Sequence, residues 1–333
     1  MRKKTLILIP LMLACLTLYG QEVGKGTSMI NFLKIGVGSR ATAMGDAFVG
    51  IANDASALYW NPGGVGFMKK KELFAQTNKW IVDSYLNFAG LVIPIKGVGS
   101  FGASIYSFSS GEMEETTLDS PEGTGRAFSA NDLALGVSYA RQLSDRFSAG
   151  IAFKVITESL MRESASSFAV DVGSIFITNF LNNMRIGFSF SNFGANTLFS
   201  GADMIVYHDV APDLPTNQPV EASLVSRNWE LPLTFRVGIA TNLIETDDIK
   251  ITQAIAANDS RDYTPRYNFG TEFSLKDRIF IRGGYKADYS EGGLTFGVGL
   301  NLEMAGYSFI FDYSSIDQGV FGYVSLYSVS VRF

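Results

Sequence analysis

From about Glu72 onward the chain alternates apolar and polar residues, in segments of roughly ten separated by turn chemistry. Period-two alternation belongs to β-strands whose two faces meet unlike surroundings, and it narrows the fold more than any other feature of the sequence. The clearest case sets Leu294, Phe296, Val298, Leu300 and Leu302 against Thr295, Gly297, Gly299, Asn301 and Glu303. Phe235, Val237 and Ile239 stand in the same way against Thr234, Arg236 and Ala240, as do Tyr307, Phe309 and Phe311 against Ser308, Ile310 and Asp312. About fourteen such segments fall near 72–80, 85–95, 98–109, 131–143, 146–158, 166–178, 184–194, 231–243, 249–257, 266–276, 278–286, 293–303, 306–314 and 322–333. The expected fold class is all-β.

Two architectures share this pattern. A soluble β-sandwich turns its apolar face inward, whereas a transmembrane antiparallel β-barrel turns it out to lipid and keeps its polar face in the lumen. Lys154, Asp171, Arg185, Arg236, Glu272, Arg282 and Asp312 all lie on the polar face, which suits either architecture. Three other features favour the barrel. The strands are about ten residues long, the length that crosses an outer membrane with tilt. Met1-Arg2-Lys3-Lys4 followed by the apolar run Thr5 to Leu18 reads as a secretory signal peptide over residues 1–20. The chain closes on Tyr327, Val329, Val331 and Phe333, an alternating strand with a terminal aromatic that resembles the signal read by outer-membrane barrel-assembly machinery. The expected localisation is the bacterial outer membrane, with barrel residues 71–333 in contact with lipid.

Connection lengths fit that expectation, because outer-membrane barrels alternate short periplasmic turns with longer external loops. Links at Lys96-Gly97, Ser144-Asp145, Glu245–Asp248, Asp277 and Met304-Ala305-Gly306 are compact, while 110–130, 195–230, 258–265 and 315–321 are longer. Residues 81–84 are a short exception among the latter. This arrangement puts both termini in the periplasm and the loops 110–130 and 195–230 outside.

Chemistry is sparse. Only 18% of residues are charged and 13% are aromatic, with a net charge of -5, which matches neither a disordered chain nor a nucleic-acid binder. The one cysteine, Cys15, falls within the expected leader, where Met12-Leu13-Ala14-Cys15 makes a poor lipidation motif. The one histidine, His208, sits in a loop with Pro212, Pro215 and Pro219 and has no second histidine or cysteine to share a transition metal. An enzyme built on barrel strands would need His208 as its base; the sequence carries no nucleophile elbow or phosphate-binding loop, so no catalysis and no cofactor are expected. Glu112, Glu114, Glu115, Asp119 and Glu122 could offer calcium oxygen ligands, without an EF-hand arrangement.

One stretch breaks the alternation. "KIGVGSRATAMGDAFVGIANDASALYWNPGGVG" is small-residue-rich and ends in an aromatic pair before a turn. Its Gly38, Arg40, Ala43-Met44-Gly45, Ala47-Phe48, Ala52-Asn53-Asp54-Ala55 and Tyr59-Trp60-Asn61-Pro62 resemble the amino-terminal signature of the PorV/PorQ family, relatives of the FadL-type outer-membrane transporters. Where many relatives have Gly-Gly after the methionine and Asn-Pro-Ala-Gly at the end, this chain has Gly45-Asp46 and Asn61-Pro62-Gly63-Gly64. The resemblance implies a FadL-like barrel of fourteen strands, with residues 21–70 as a plug inside the wall. It also implies a non-catalytic role in type IX secretion as a docking or shuttle component for cargo, with loops 110–130 and 195–230 meeting partners. FadL relatives instead pass fatty acids and other hydrophobic compounds, a role that would need an apolar pocket lined by residues such as Phe48, Tyr59 and Trp60.

Overall fold

The computed structural model describes residues 28–213, 218–290 and 292–333. The expected leader at 1–20, with Cys15, lies outside the described residues. So does Pro215.

Among the described residues, fourteen long strands form one sheet: β1 (Glu72–Lys79), β2 (Tyr85–Ile95), β3 (Gly99–Ser109), β4 (Ala130–Ser144), β5 (Phe147–Leu160), β6 (Glu163–Ile177), β7 (Arg185–Gly194), β8 (Thr234–Glu245), β9 (Ile249–Ser260), β10 (Tyr263–Leu275), β11 (Ile279–Ala287), β12 (Leu294–Met304), β13 (Tyr307–Asp317) and β14 (Tyr323–Arg332). Each pairs antiparallel with the next, and β1 pairs with β14 from Glu72↔Arg332 to Asn78↔Leu326, so the sheet closes on itself. A closed sheet has no free edge, which is what a strand-built membrane span requires. No helix among the described residues is long and apolar enough to cross a membrane.

The two faces decide between sandwich and barrel. Leu294, Phe296 and Val298 are 62%, 51% and 54% exposed, while their polar neighbour Thr295 is buried, as are Arg236, Glu272 and Arg282 on other strands. Greasy out and charged in is the reverse of a sandwich and the requirement of a barrel in lipid.

Several strands outrun their apolar alternation. The loop expected at 258–265 is instead a two-residue turn, since β9 continues to Ser260 and β10 begins at Tyr263, with a bulge between Asn258 and Ser260. Likewise β13 runs on to Asp317, leaving 318–322 as the link. Beyond the apolar band of the bilayer a strand needs no greasy face, so the backbone ladder persists after the sequence signal has faded. The two longest links carry structure of their own. Met113–Glu114 pairs with Ala127–Phe128, and Ile205–His208 pairs with Val220–Ser223. His208 therefore sits on a hairpin strand.

Among the described residues ahead of β1 there are only short turns of helix: 3-10 turns at Asn31–Lys34 and Pro62–Phe67, α1 (Ser39–Ala43) and α2 (Ala57–Trp60). Val37, Met44, Phe48, Val49, Ile51, Trp60 and Val65 of this segment are buried and form one apolar core with the inward-facing Phe74, Leu86, Phe88 and Tyr106 of β1, β2 and β3. Burying a large apolar side chain is worth roughly 1.5–3 kcal/mol, so hydrophobicity holds the segment on this side. The core extends to smaller wall residues such as Ala140, Ile156, Ile175 and Ala240 on β4, β5, β6 and β8, while β10 and β11 offer the segment charged groups at Glu272 and Lys286.

Candidate functional site at the inner wall

The described part of the segment begins, at Ser28, at the end of the barrel that carries the long loops. Ser28 bridges Glu230, and its hydroxyl donates to Asp262 at 2.5 Å. It leaves at the opposite end, where Lys71 and Phe333 exchange backbone hydrogen bonds of 3.0 Å. Between these points it touches strand after strand. A side-chain carbon placed on Gly150, Gly173, Gly187, Gly238, Gly270, Gly284 or Gly297 would come within 2.1 to 2.6 Å of the segment. The inward glycines of seven strands therefore make room for it. At Gly284 the nearest atom is the backbone nitrogen of Gly45.

Each signature residue has an assignable contact. Gly38 has φ 89°, a conformation glycine adopts freely, and its N–H donates to the Gln76 side chain. Gly45 is also left-handed, at φ 62°, and its carbonyl accepts from Asn268. Asp46 has a left-handed φ of 64° and places its carboxylate 2.5 Å from Lys286 on β11. Asp54 accepts from the Ser56 N–H at 3.1 Å and turns the chain into α2. From α2, the Trp60 indole donates to the Val37 carbonyl at 2.6 Å and the Tyr59 hydroxyl donates to Leu33 at 3.0 Å. Asn61 is fully buried; its amide donates to Val49 and Ser174, and its oxygen accepts from Gly63. Pro62 opens the following 3-10 turn. Gly63 lies so close to β6 that a Cβ would fall 2.6 Å from the Ser174 Cα. Met44 and Phe48 are enclosed in the core.

Arg40 gathers the charges. Its Nε and Nη2 donate to the two oxygens of Glu272 at 2.8 and 2.9 Å, and Nη1 donates to Asn53 at 2.7 Å and Asp54 at 3.1 Å. Glu272 also accepts from Arg282 at 2.7 Å, and Arg282 donates on to Asp312 at 2.6 Å. Burial opposes the Arg40 charge, but Glu272 and Asp54 more than offset it and hold the guanidinium above its ordinary pKa. Sequence reading singled out each of these residues but not their convergence, which depends on register across 232 positions.

The charge network lines a cavity of about 300 Å³. A second cavity, of about 420 Å³, lies toward the long-loop end and is lined by Tyr59, Trp60, Tyr263, Tyr289, Lys34, Arg236, Arg266 and Lys286 among others. Burial pushes the Tyr59 phenol above its ordinary pKa in spite of the neighbouring Arg236. Tyr59 and Trp60 thus face a charged space, and Phe48 lines neither cavity.

The terminal strand places Tyr327 and Val329 on the exposed face and Val331 half-buried beside them. The Phe333 ring lies 6.2 Å from that of Tyr307. In the loop at 110–130, Glu115 is engaged by Arg126 at 2.7 Å.

Fold and faces together define a β-barrel of the bacterial outer-membrane type, and its fold is FadL-like. Solved structures agree at the level of fold. The chain is similar to the toluene transporter TodX of Pseudomonas putida (12% identity, TM-score 0.58, covering 94% of this chain and 99% of that one). It is similar also to the toluene transporter TbuX of Ralstonia pickettii (14%, TM-score 0.56, 89% and 97%) and to a FadL homologue of Pseudomonas aeruginosa (13%, TM-score 0.52, 94% and 98%). No curated protein matches the sequence. Residues 20–218, more than half of the chain, match the family of the type IX secretion system protein PorV, and the protein belongs to that family.

Proposed function

We propose that this barrel is a non-catalytic component of type IX secretion that docks secretion partners and cargo through the loops 110–130 and 195–230. The family match carries the reading, since it spans the segment, the first seven strands and the start of the longer loop. The loops suit the task. They hold short hairpins and expose Leu118, Tyr207, Val210 and Val225, and apolar side chains presented on a structured loop are a common basis for protein contact. In this reading residues 21–70 act as the plug, the long loops face outward and both termini lie in the periplasm.

The experiment is removal of the gene, or of residues 112–128 alone, in a host with type IX machinery, followed by proteomics of the cell surface and medium. Cargo bearing carboxy-terminal secretion signals should be depleted from both; an unchanged secretome refutes the proposal. The alternative, passage of hydrophobic compounds as in the toluene transporters of like fold, draws support from that likeness. The charged lining of both cavities counts against it. Uptake of labelled toluene into proteoliposomes above the empty-liposome rate would favour it.

A further inference from the structure

The cavity at the long-loop end is lined by four cations and three carboxylates, an excess of one positive charge: Lys34 pairs with Asp262 and Lys286 with Asp46, while Asp317 forms no salt bridge among the described residues. Arg236 and Arg266 differ. Arg236 is only 4% exposed, yet among the described residues its guanidinium hydrogen-bonds just the Ser191 hydroxyl at 3.2 Å and the Tyr59 hydroxyl at 3.4 Å. Arg266 has its Nε buried with no hydrogen-bond partner. Among the described residues no carboxylate forms a salt bridge with either. A guanidinium has five N–H donors and stays charged, so burying that of Arg236 without a counter-ion is costly, and the half-buried Arg266 turns its remaining N–H groups toward the cavity.

The rings around the two arginines complete the arrangement. The Arg266 guanidinium lies 3.8 Å from the Tyr263 ring centroid and 4.4 Å from that of Tyr289, and Arg236 lies 5.2 and 5.4 Å from those of Tyr59 and Trp60. Aromatic contact steadies a guanidinium plane while leaving N–H groups along its edge to meet an oxyanion. A volume of about 420 Å³ is in the range of small-molecule sites.

We propose that this cavity binds a small organic anion, an aromatic carboxylate, whose charged end meets Arg236 and Arg266 and whose ring lies among the tyrosines and Trp60. The carboxylate supplies the missing counter-charge, and the flat body occupies surface that an inorganic ion would leave wet. This site is independent of the secretion role of the loops.

The test is calorimetric titration of the full barrel in detergent with three probes: benzoate, benzyl alcohol as ring without charge, and acetate as charge without ring. Benzoate should bind saturably and at least tenfold more tightly than either of the others. Arg266→Gln should weaken benzoate at least tenfold while the barrel keeps its heat-modifiable mobility on gels. If that variant does not fold, Tyr289→Leu, which removes one face of the stack, should weaken benzoate at least threefold. Absence of benzoate binding, equal affinity for benzyl alcohol or acetate, or a folded Arg266→Gln barrel with unchanged affinity would each overturn the proposal.

Discussion

Replacing Glu272 by glutamine tests whether charge pins the amino-terminal segment to the wall. The Glu272 side chain is 4% exposed and joins Arg40 of the segment to Arg282 of β11 through three contacts of 2.7 to 2.9 Å. Removing one member of a buried ion group costs about 3–5 kcal/mol, chiefly because the partners stay charged and unpaired. Here the lower end applies. Arg40 keeps Asp54 at 3.1 Å and Arg282 keeps Asp312 at 2.6 Å, so neither is left without a carboxylate. About 3 kcal/mol corresponds to roughly a hundredfold rise in the open population of the segment. Hydrogen–deuterium exchange reads that population directly. The amides of Thr42 and Asp46, bonded to Gly38 and Ala41 at 2.9 and 3.0 Å, should exchange roughly a hundredfold faster, while β4 and β5 should keep their rates. Pairing the change with Arg40→Met should cost less than the sum of the two single changes, since both remove the same contact. Unchanged exchange across residues 38–60, or full additivity in the pair, would refute the assignment of this network as the anchor.

Three further outcomes follow from the same contacts. Gly284→Ala puts a carbon 2.2 Å from the Gly45 nitrogen and should destabilise by about 1–3 kcal/mol, whereas Gly283→Ala, with nothing nearer than 4.0 Å, should be neutral; thermal unfolding of the two variants side by side checks this. Asn61→Ala strips partners from the Val49 and Ser174 carbonyls and the Gly63 N–H, a loss on the order of 1–3 kcal/mol that limited proteolysis between residues 61 and 70 should detect. Burial works to raise the pKa of Asp262, but hydrogen bonds from Lys34, Ser28 and Ser260 prevail and hold it below the ordinary value. Its contribution is therefore complete above about pH 4, the unfolded value, and lost as pH falls through the lower folded one. Exchange around residues 28–34 should accelerate below pH 4, and Asp262→Asn should abolish that pH dependence.

The fourteen strands were legible because lipid imposes a rule on every second residue. Phe296 and Val298 must be greasy whatever lies inside, so the alternation can be read without knowing the lumen. Where the rule lapses, as at Asn258 to Pro265, reading failed and a loop was expected where a hairpin stands. The contacts that Arg40, Asn61 and Gly45 make with the wall were not legible, because the wall partners Glu272, Ser174 and Asn268 lie more than a hundred residues away in the chain. One signal was present all the same: Gly150, Gly173, Gly187, Gly238, Gly270, Gly284 and Gly297 occupy the inward phase of their strands, where an empty lumen would place no steric demand.

Those glycines bear on how the molecule is put together. A wall that faced only water would gain nothing from losing side chains at seven inward positions, and would gain from filling them, since glycine in a strand interior is destabilising. The wall also carries charges, Glu272 and Lys286, whose partners Arg40 and Asp46 belong to the segment. Segment and barrel therefore complete one another, and the segment's contacts run from β1 at Gln76 to β13 at Ser314, nearly the full circuit of the sheet. A segment tied to strands on every side is enclosed only when β14 meets β1, so the closed barrel and the seated segment share one set of contacts, and a change that loosens either loosens both.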